Sequence, residues 1–210
     1  PYHNMKDFMG FPAIGGSSLR YKKLVPFSSQ RLENTKNYFS AIREKDILLH
    51  YPYHDFYQFI EWLRQSAADP RVLSIRITLY RLAKSSLIIK TLRDAAANGK
   101  EVSAVLELTA RFDEKANIKW AKVLTDSGVR VKFGISNLKI HAKLCVINRI
   151  ENNKRVQYAY ISTGNFNEKT AQIYTDFALF TSRNSVTKEV AEVFAFIDAP
   201  YRNFHFKQVW

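Results

Sequence analysis

His141-Ala142-Lys143 sets an imidazole two residues from a primary ammonium, inside the run Lys139-Ile140-His141-Ala142-Lys143-Leu144-Cys145-Val146-Ile147. The run reads as a strand, in which alternate residues share a face. On that reading His141 and Lys143 point one way, and Ile140, Ala142 and Leu144 point into a core. An imidazole beside a fixed cation can attack phosphorus while the cation steadies the phosphoryl oxygens. Further on, Ser162-Thr163-Gly164-Asn165-Phe166-Asn167 offers a tight turn and amide donors for the same oxygens. Alone, the triplet reads more readily as two solvated polar residues on a half-exposed strand; the Gly-Asn turn and two arginines reverse that.

Those arginines follow strand-like runs. Arg81 comes after Ile77-Thr78-Leu79-Tyr80, and Arg111 after Leu106-Glu107-Leu108-Thr109-Ala110. Ligands of open α/β sheets gather at strand ends, and the guanidinium fork suits bidentate phosphate contacts. Taken singly, each arginine is a surface or salt-bridge residue. Two of them converging on the histidine and lysine point to phosphate binding.

The elements that must position these groups show as periodicity. A helical pattern (Phe56, Phe59, Ile60, Leu63) starts near Asp55 as its N-cap. Val72–Thr78 reads as a buried strand, and residues 87–97 as a helix stopped at Asn98-Gly99. Strands over 101–108 and 129–133 flank a helix over 113–127. This β-α-β-α-β alternation predicts a parallel-type sheet with helical covers. Strands over 139–148 and 155–163 follow, joined by a turn at Asn152-Asn153. Another strand is predicted over 172–181, and an amphipathic helix over 186–197. Trp62, Trp120, Phe177, Phe194 and Phe196 read as packing residues, and Glu189 and Glu192 as a solvated helix face.

The 210 residues carry 46% hydrophobic and 24% charged side chains, a soluble globular composition with room for one good core. No apolar run approaches the roughly 18 residues of a membrane span, and no signal peptide is read at the start. The lone cysteine, Cys145, excludes an internal disulfide and fits a reducing compartment. No Cys/His cluster has zinc spacing. The net charge of +13 would draw a polyanion: nucleic acid, an anionic membrane surface or a phosphate polymer. Residues 1–45 are read as a basic linker or arm, 46–198 as the domain, and 199–210 as the start of a connection onward. The arm does not interleave aromatic with basic residues, so no specific nucleic-acid contact is expected.

The chain resembles bacterial polyphosphate kinase of the first type. Thr78-Leu79-Tyr80-Arg81, Leu108 to Glu114, His141-Ala142-Lys143 and Ser162-Thr163-Gly164-Asn165 match that family's signatures in order, as do Leu49 to His54 and Tyr174-Thr175-Asp176. The resemblance is to its third domain, C1, and implies an α/β, phospholipase D-like half-domain: a mixed β-sheet flanked by helices on both faces. It implies reversible transfer of the terminal phosphoryl of ATP to inorganic polyphosphate through a phosphohistidine, ADP being the other product. His141 matches the nucleophile, with Lys143 beside it, and Tyr174 matches a residue that contacts ATP. Asn165 and Asn167 are the substrate-binding candidates of the turn. Arg81 and Arg111 match positions assigned to Mg2+ and phosphate. Arginine has donors only, so they are expected to hold phosphate oxygens that magnesium also touches. The family further implies a homo-oligomeric, cytoplasmic enzyme, compatible with peripheral attachment to the inner membrane.

Two departures limit the match. The family's design requires a second histidine from a following domain, and His205-Phe206-Lys207 is a poor substitute because no Gly-Asn turn follows it. The phospholipase D pattern also carries an acid five residues after the lysine, where Asn148 stands here. The competing readings are a homodimeric phosphodiesterase or nuclease of that superfamily, and a non-enzymatic polyanion-binding module.

Overall fold

The structure is a computed structural model that describes residues 4–12, 14–80, 86–107, 114–136 and 138–209, with the backbone alone at residues 6, 9 and 114–116. Seven strands form one mixed sheet: β1 (Ile47–Tyr51), β2 (Val72–Leu79), β3 (Glu101–Leu106), β4 (Arg130–Phe133), β5 (Lys143–Glu151), β6 (Lys154–Ser162) and β7 (Asp176–Thr181). Their spatial order is β1-β7-β6-β5-β2-β3-β4. The β2-β3-β4 limb is parallel, as the alternating helices required. From β2 onward through β5, β6, β7 and β1 every pairing is antiparallel.

Helices cover both faces. On one side lie α1 (Gln30–Glu33), α2 (Tyr38–Glu44), α3 (Tyr57–Ala68), α4 (Leu87–Ala97) and α5 (Glu114–Asp126). They bury Leu32, Phe39, Phe59, Trp62, Leu92 and Leu124 against Leu49, Ile75, Ile77, Cys145 and Tyr160. The other side holds α6 (Asn184–Asp198), whose Val190, Phe194 and Ile197 pack on Val105, Leu144, Val146 and Ala159. The sheet is therefore apolar on both faces in its middle, which is why β2 and β5 read as continuous apolar runs.

Local chemistry explains several boundaries. Asp55 accepts the amide of Tyr57 at 2.8 Å, opening α3 one residue later than the cap position expected from the sequence. Gly99 takes φ +77°, the left-handed geometry that ends α4 without a Cβ penalty. Asn152 and Asn153 sit at φ 48° and 60°, as a two-residue hairpin turn between β5 and β6 demands.

Five sequence readings need correction. The strand placed at 139–148 begins only at Lys143, and Ala142 is exposed rather than buried. The strand expected over 172–181 is β7 alone, preceded by a short 3-10 turn over Thr170–Gln172. Phe177 faces outward, stacked on His50 at 4.4 Å. Glu189 is no idle surface acid: its carboxylate accepts the amides of Lys207, Gln208 and Val209. That contact hangs the C-terminal segment on α6, so residues 203–206 run irregularly and His205 is exposed beside the helix. Leu32, Tyr38, Phe39 and Ile42, all within the segment read as an arm, are buried in the main core. Among the described residues no helix is long and apolar enough to cross a membrane.

Candidate active site

Strand direction gathers one end of the sheet into a site. Parallel β2 and β3 end there, at Leu79 and Leu106, and antiparallel β5 starts there, at Lys143. Lys143 pairs with Ser162 at the end of β6, and Ser162 with Ala178 near the start of β7. The loops at these ends carry His141, the turn from Thr163 to Asn167, and Tyr174, and Asp176 opens β7 beside them.

His141 stands two residues before β5, yet it keeps company with Lys143. Lys143 Nζ lies 2.9 Å from His141 Nδ1 and donates to the His141 carbonyl oxygen at 2.5 Å. The Tyr80 ring meets His141 edge-on at 5.1 Å, and the ammoniums of Lys139 and Lys143 each lie 5.5 Å from its centroid. Partial desolvation, then Lys143 and Lys139, hold the imidazole below its ordinary pKa, so it is neutral at pH 7. Burial pushes Lys143 down to about 8, with the Asp176 carboxylate working against that fall. Only 5% of Lys143 is exposed, so its charge acts in a poorly screened setting.

Asp176 also orders the glycine turn. Thr163 Oγ1 donates to Asp176 Oδ1 at 2.7 Å, and the Phe177 amide donates back to Thr163 Oγ1 at 3.0 Å. A Cβ on Gly164 would meet Asp176 Oδ2 at 2.5 Å. Glycine is thus required for close approach, not for a left-handed backbone. The Gly164 amide is engaged by Ser162 Oγ at 3.0 Å, an internal bond where the sequence suggested a free donor.

The two asparagines separate. Asn167 is buried, and its Oδ1 accepts the amides of Lys169 and Thr170 at 3.0 and 3.2 Å, bracing the turn. Asn165 Oδ1 is buried without a hydrogen-bond partner. Tyr174 is 59% exposed, its ring open to a planar ligand. Arg81 and Arg111 lie outside the described residues. Among the described residues no group of three or more His, Cys, Asp or Glu gathers to hold a metal ion. These side chains therefore build no ion cage of their own; a magnesium ion carried on nucleotide phosphates needs only one or two carboxylates.

Sequence reasoning missed the groups that hold the His141 loop. Thr78 Oγ1 donates to the Ala142 carbonyl at 2.7 Å and accepts the Leu144 amide at 3.0 Å. Glu107 Oε2 accepts the Ile140 amide at 2.8 Å. Asn117 Nδ2 donates to the carbonyls of Tyr80 at 3.0 Å and Glu107 at 2.9 Å, tying the ends of β2 and β3 together. All three side chains are buried. The only signal in the sequence was a carboxylate at the end of an apolar strand. Asn148, at the position where an acid was sought, is bonded within the sheet to Ser74 at 2.8 Å and to Gln157 at 3.1 Å.

A mixed sheet that delivers a histidine-lysine pair from the start of an antiparallel strand defines a phospholipase D-like half. Nuc of Salmonella typhimurium, a phospholipase D family member, shares this fold, with a TM-score of 0.56 at 16% identity over 73% of this chain and 93% of that one. The match to the crystal structure of polyphosphate kinase from Porphyromonas gingivalis is much nearer: TM-score 0.83, 35% identity, 98% of this chain and 34% of that one. Polyphosphate kinase C-terminal domain 1 matches residues 37–203. The polyphosphate kinase of Vibrio cholerae is 51% identical over 99% of this chain, and that of Escherichia coli K12 53% identical over 96%. The chain belongs to the polyphosphate kinase family. It spans about 30% of the length of these two relatives.

Proposed function

We propose that this chain is the half-site of a polyphosphate kinase that accepts the terminal phosphoryl of ATP on His141 and passes it to inorganic polyphosphate. The observation that carries the reading is the His141 imidazole held 2.9 Å from the buried Lys143 ammonium, at the end of the sheet where β2 and β3 finish. A ring nitrogen of His141 forms a bond to the γ-phosphorus as the bond to the bridging oxygen breaks and ADP departs. A terminal oxygen of polyphosphate then attacks the same phosphorus and the nitrogen-phosphorus bond opens. Lys143, Arg81 and Arg111 would neutralise the three equatorial oxygens, where charge builds in a loose transition state. Magnesium, held on the phosphates, would supply further charge neutralisation. The exposed Tyr174 ring suits adenine stacking, and Asn165 suits a substrate contact that satisfies its amide.

The test is labelling of the full-length enzyme with γ-labelled ATP. Acid-labile, base-stable label is expected on the wild type and none on His141→Ala. A His141→Ala enzyme that still labels and elongates polyphosphate overturns the reading.

A further inference from the structure

The nucleophile candidate sits in a loop, yet phosphoryl transfer demands placement to a fraction of an ångström. Two side chains supply it. The β2-β5 ladder closes at Ile77 and Cys145. Beyond that pair the Thr78 hydroxyl takes over, bonding the carbonyl of Ala142 and the amide of Leu144. On the other flank the Glu107 carboxylate receives the Ile140 amide, and Asn117 fixes the backbone of Glu107 itself. The residues immediately before and after His141 are therefore each bonded to a side chain from a different parallel strand end. Thr78 is 2% exposed and Glu107 5% exposed, so water does not compete for either bond.

We propose that Thr78 and Glu107 are positioning residues that clamp the backbone on both sides of His141 and so set the angle at which its ring meets phosphorus. The inference rests on His141 being the phosphoryl acceptor. Neither residue touches the reacting atoms; each acts through the peptide groups of residues 140, 142 and 144. Loss of the clamp leaves binding groups such as Tyr174 in place while the imidazole wanders.

The experiment is single-turnover phosphorylation of the full-length enzyme by γ-labelled ATP, with rate constant and amplitude measured separately. Thr78→Val keeps the shape and removes both bonds. It is expected to lower the rate constant about tenfold or more, because small misplacements at a reacting centre are costly, while amplitude and the ATP concentration dependence stay at wild-type values. Thr78→Ser restores the hydroxyl and should recover most of the rate. Glu107→Gln, which keeps an acceptor for the Ile140 amide, should outpace Glu107→Ala. If Thr78→Val proves too unstable to assay, Thr78→Cys makes the same comparison with weakened bonds. A merely structural role predicts reduced amplitude at an unchanged rate constant, and that result, or an unchanged rate, overturns the clamp. His141→Ala keeps the two questions apart. Labelling that survives it refutes the acceptor assignment, whereas labelling lost there but unaltered in Thr78→Val refutes the clamp alone.

Discussion

Lys143 Nζ lies 2.9 Å from Nδ1 of His141 while also reaching that residue's carbonyl oxygen. An ammonium can only donate, so with Lys143 charged Nδ1 accepts and the ring proton sits on Nε2. Attack through Nε2 requires that proton to move to Nδ1, which Lys143 must vacate. An arriving phosphate gives the ammonium a better acceptor and frees Nδ1 in the same movement. In the proposed reaction the pair would couple substrate arrival to release of the ring nitrogen.

A bell-shaped pH profile of kcat/KM follows, since this parameter reports groups of the free enzyme. His141 must be neutral, and its pKa lies below the ordinary 6.5, so the acid limb falls below that value. Lys143 must be charged, and its pKa is about 8, so the rate declines as pH rises through that value. Lys143→Arg keeps its charge far above that pH, so the alkaline limb should vanish even if the maximum drops. An alkaline limb that persists in Lys143→Arg would assign it to another group.

Arg81 and Arg111 should act on the transferring phosphoryl more than on bound ATP. Charge-assisted bonds that tighten as charge develops lower the barrier by roughly 3 kcal/mol each, about a hundredfold in rate. Alanine at either position is expected to cut kcat about that much and leave KM for ATP nearly unchanged. Steady-state kinetics of the full-length variants decide it; a rise in KM alone would make them ordinary binding groups.

Gly164→Ala should damage the turn through Asp176. The new methyl would fall 2.5 Å from Asp176 Oδ2 and 2.9 Å from its Cβ, so either the turn or β7 must shift. Overpacking of this kind costs about 1–3 kcal/mol. Denaturant melts of Gly164→Ala and of Gly164→Ala with Asp176→Gly should show the second change restoring part of the loss. Equal stability of Gly164→Ala and wild type would mean that the turn yields at no cost.

Much of this architecture was legible because it is local. Residues 87–97 repeat every 3.6 positions and end in Asn98-Gly99, so α4 could be read to the residue. The Asn152-Asn153 turn was equally plain. The His141 loop was misread as strand because its apolar alternation, Ile140 and Leu144, is real: both side chains are buried in the α6-side core. What breaks the ladder is the Thr78 hydroxyl, a partner 66 residues from Leu144 that no window along the chain contains. The site histidine and lysine showed through their types and spacing. Thr78, Glu107 and Asn117 did not, because they work on backbone groups, and any residue sequence supplies those.

At the opposite end of β5, Arg149 is 4% exposed and holds Asp69 at 2.8 Å and Glu151, above the Phe39 ring at 4.8 Å. Tyr158 donates to Glu151 at 2.5 Å. Arg149→Ala leaves Glu151 without its cation and Asp69 with Arg71 alone, and breaking a buried ion pair typically costs about 3–5 kcal/mol. The network stands some 20 Å along the strand from Lys143, at about 3.4 Å per residue. Stability should therefore fall while kcat per folded molecule holds. Parallel loss of kcat in the folded fraction would show that strain travels along β5 to the site.

The 210-residue chain by itself should bind long polyphosphate and hardly extend it. Binding follows from the net charge of +13, and neutralising polymer phosphates releases their counterions, so affinity should drop steeply as salt rises. Turnover needs more than charge. Among the described residues the site presents one nucleophile candidate, His141, beside Lys143, and the solved polyphosphate kinase it resembles is about three times as long. Groups from that remaining length are expected to complete the cage around phosphorus and manage the proton, and without them the effective concentration gained by orientation is lost. The two measurements are binding of long polyphosphate from low to high salt, and ATP-dependent elongation at the same protein concentration. Robust elongation by the isolated chain would mean that two copies build a complete site between them. Binding indifferent to salt would mean that the basic surface is not what holds the polymer.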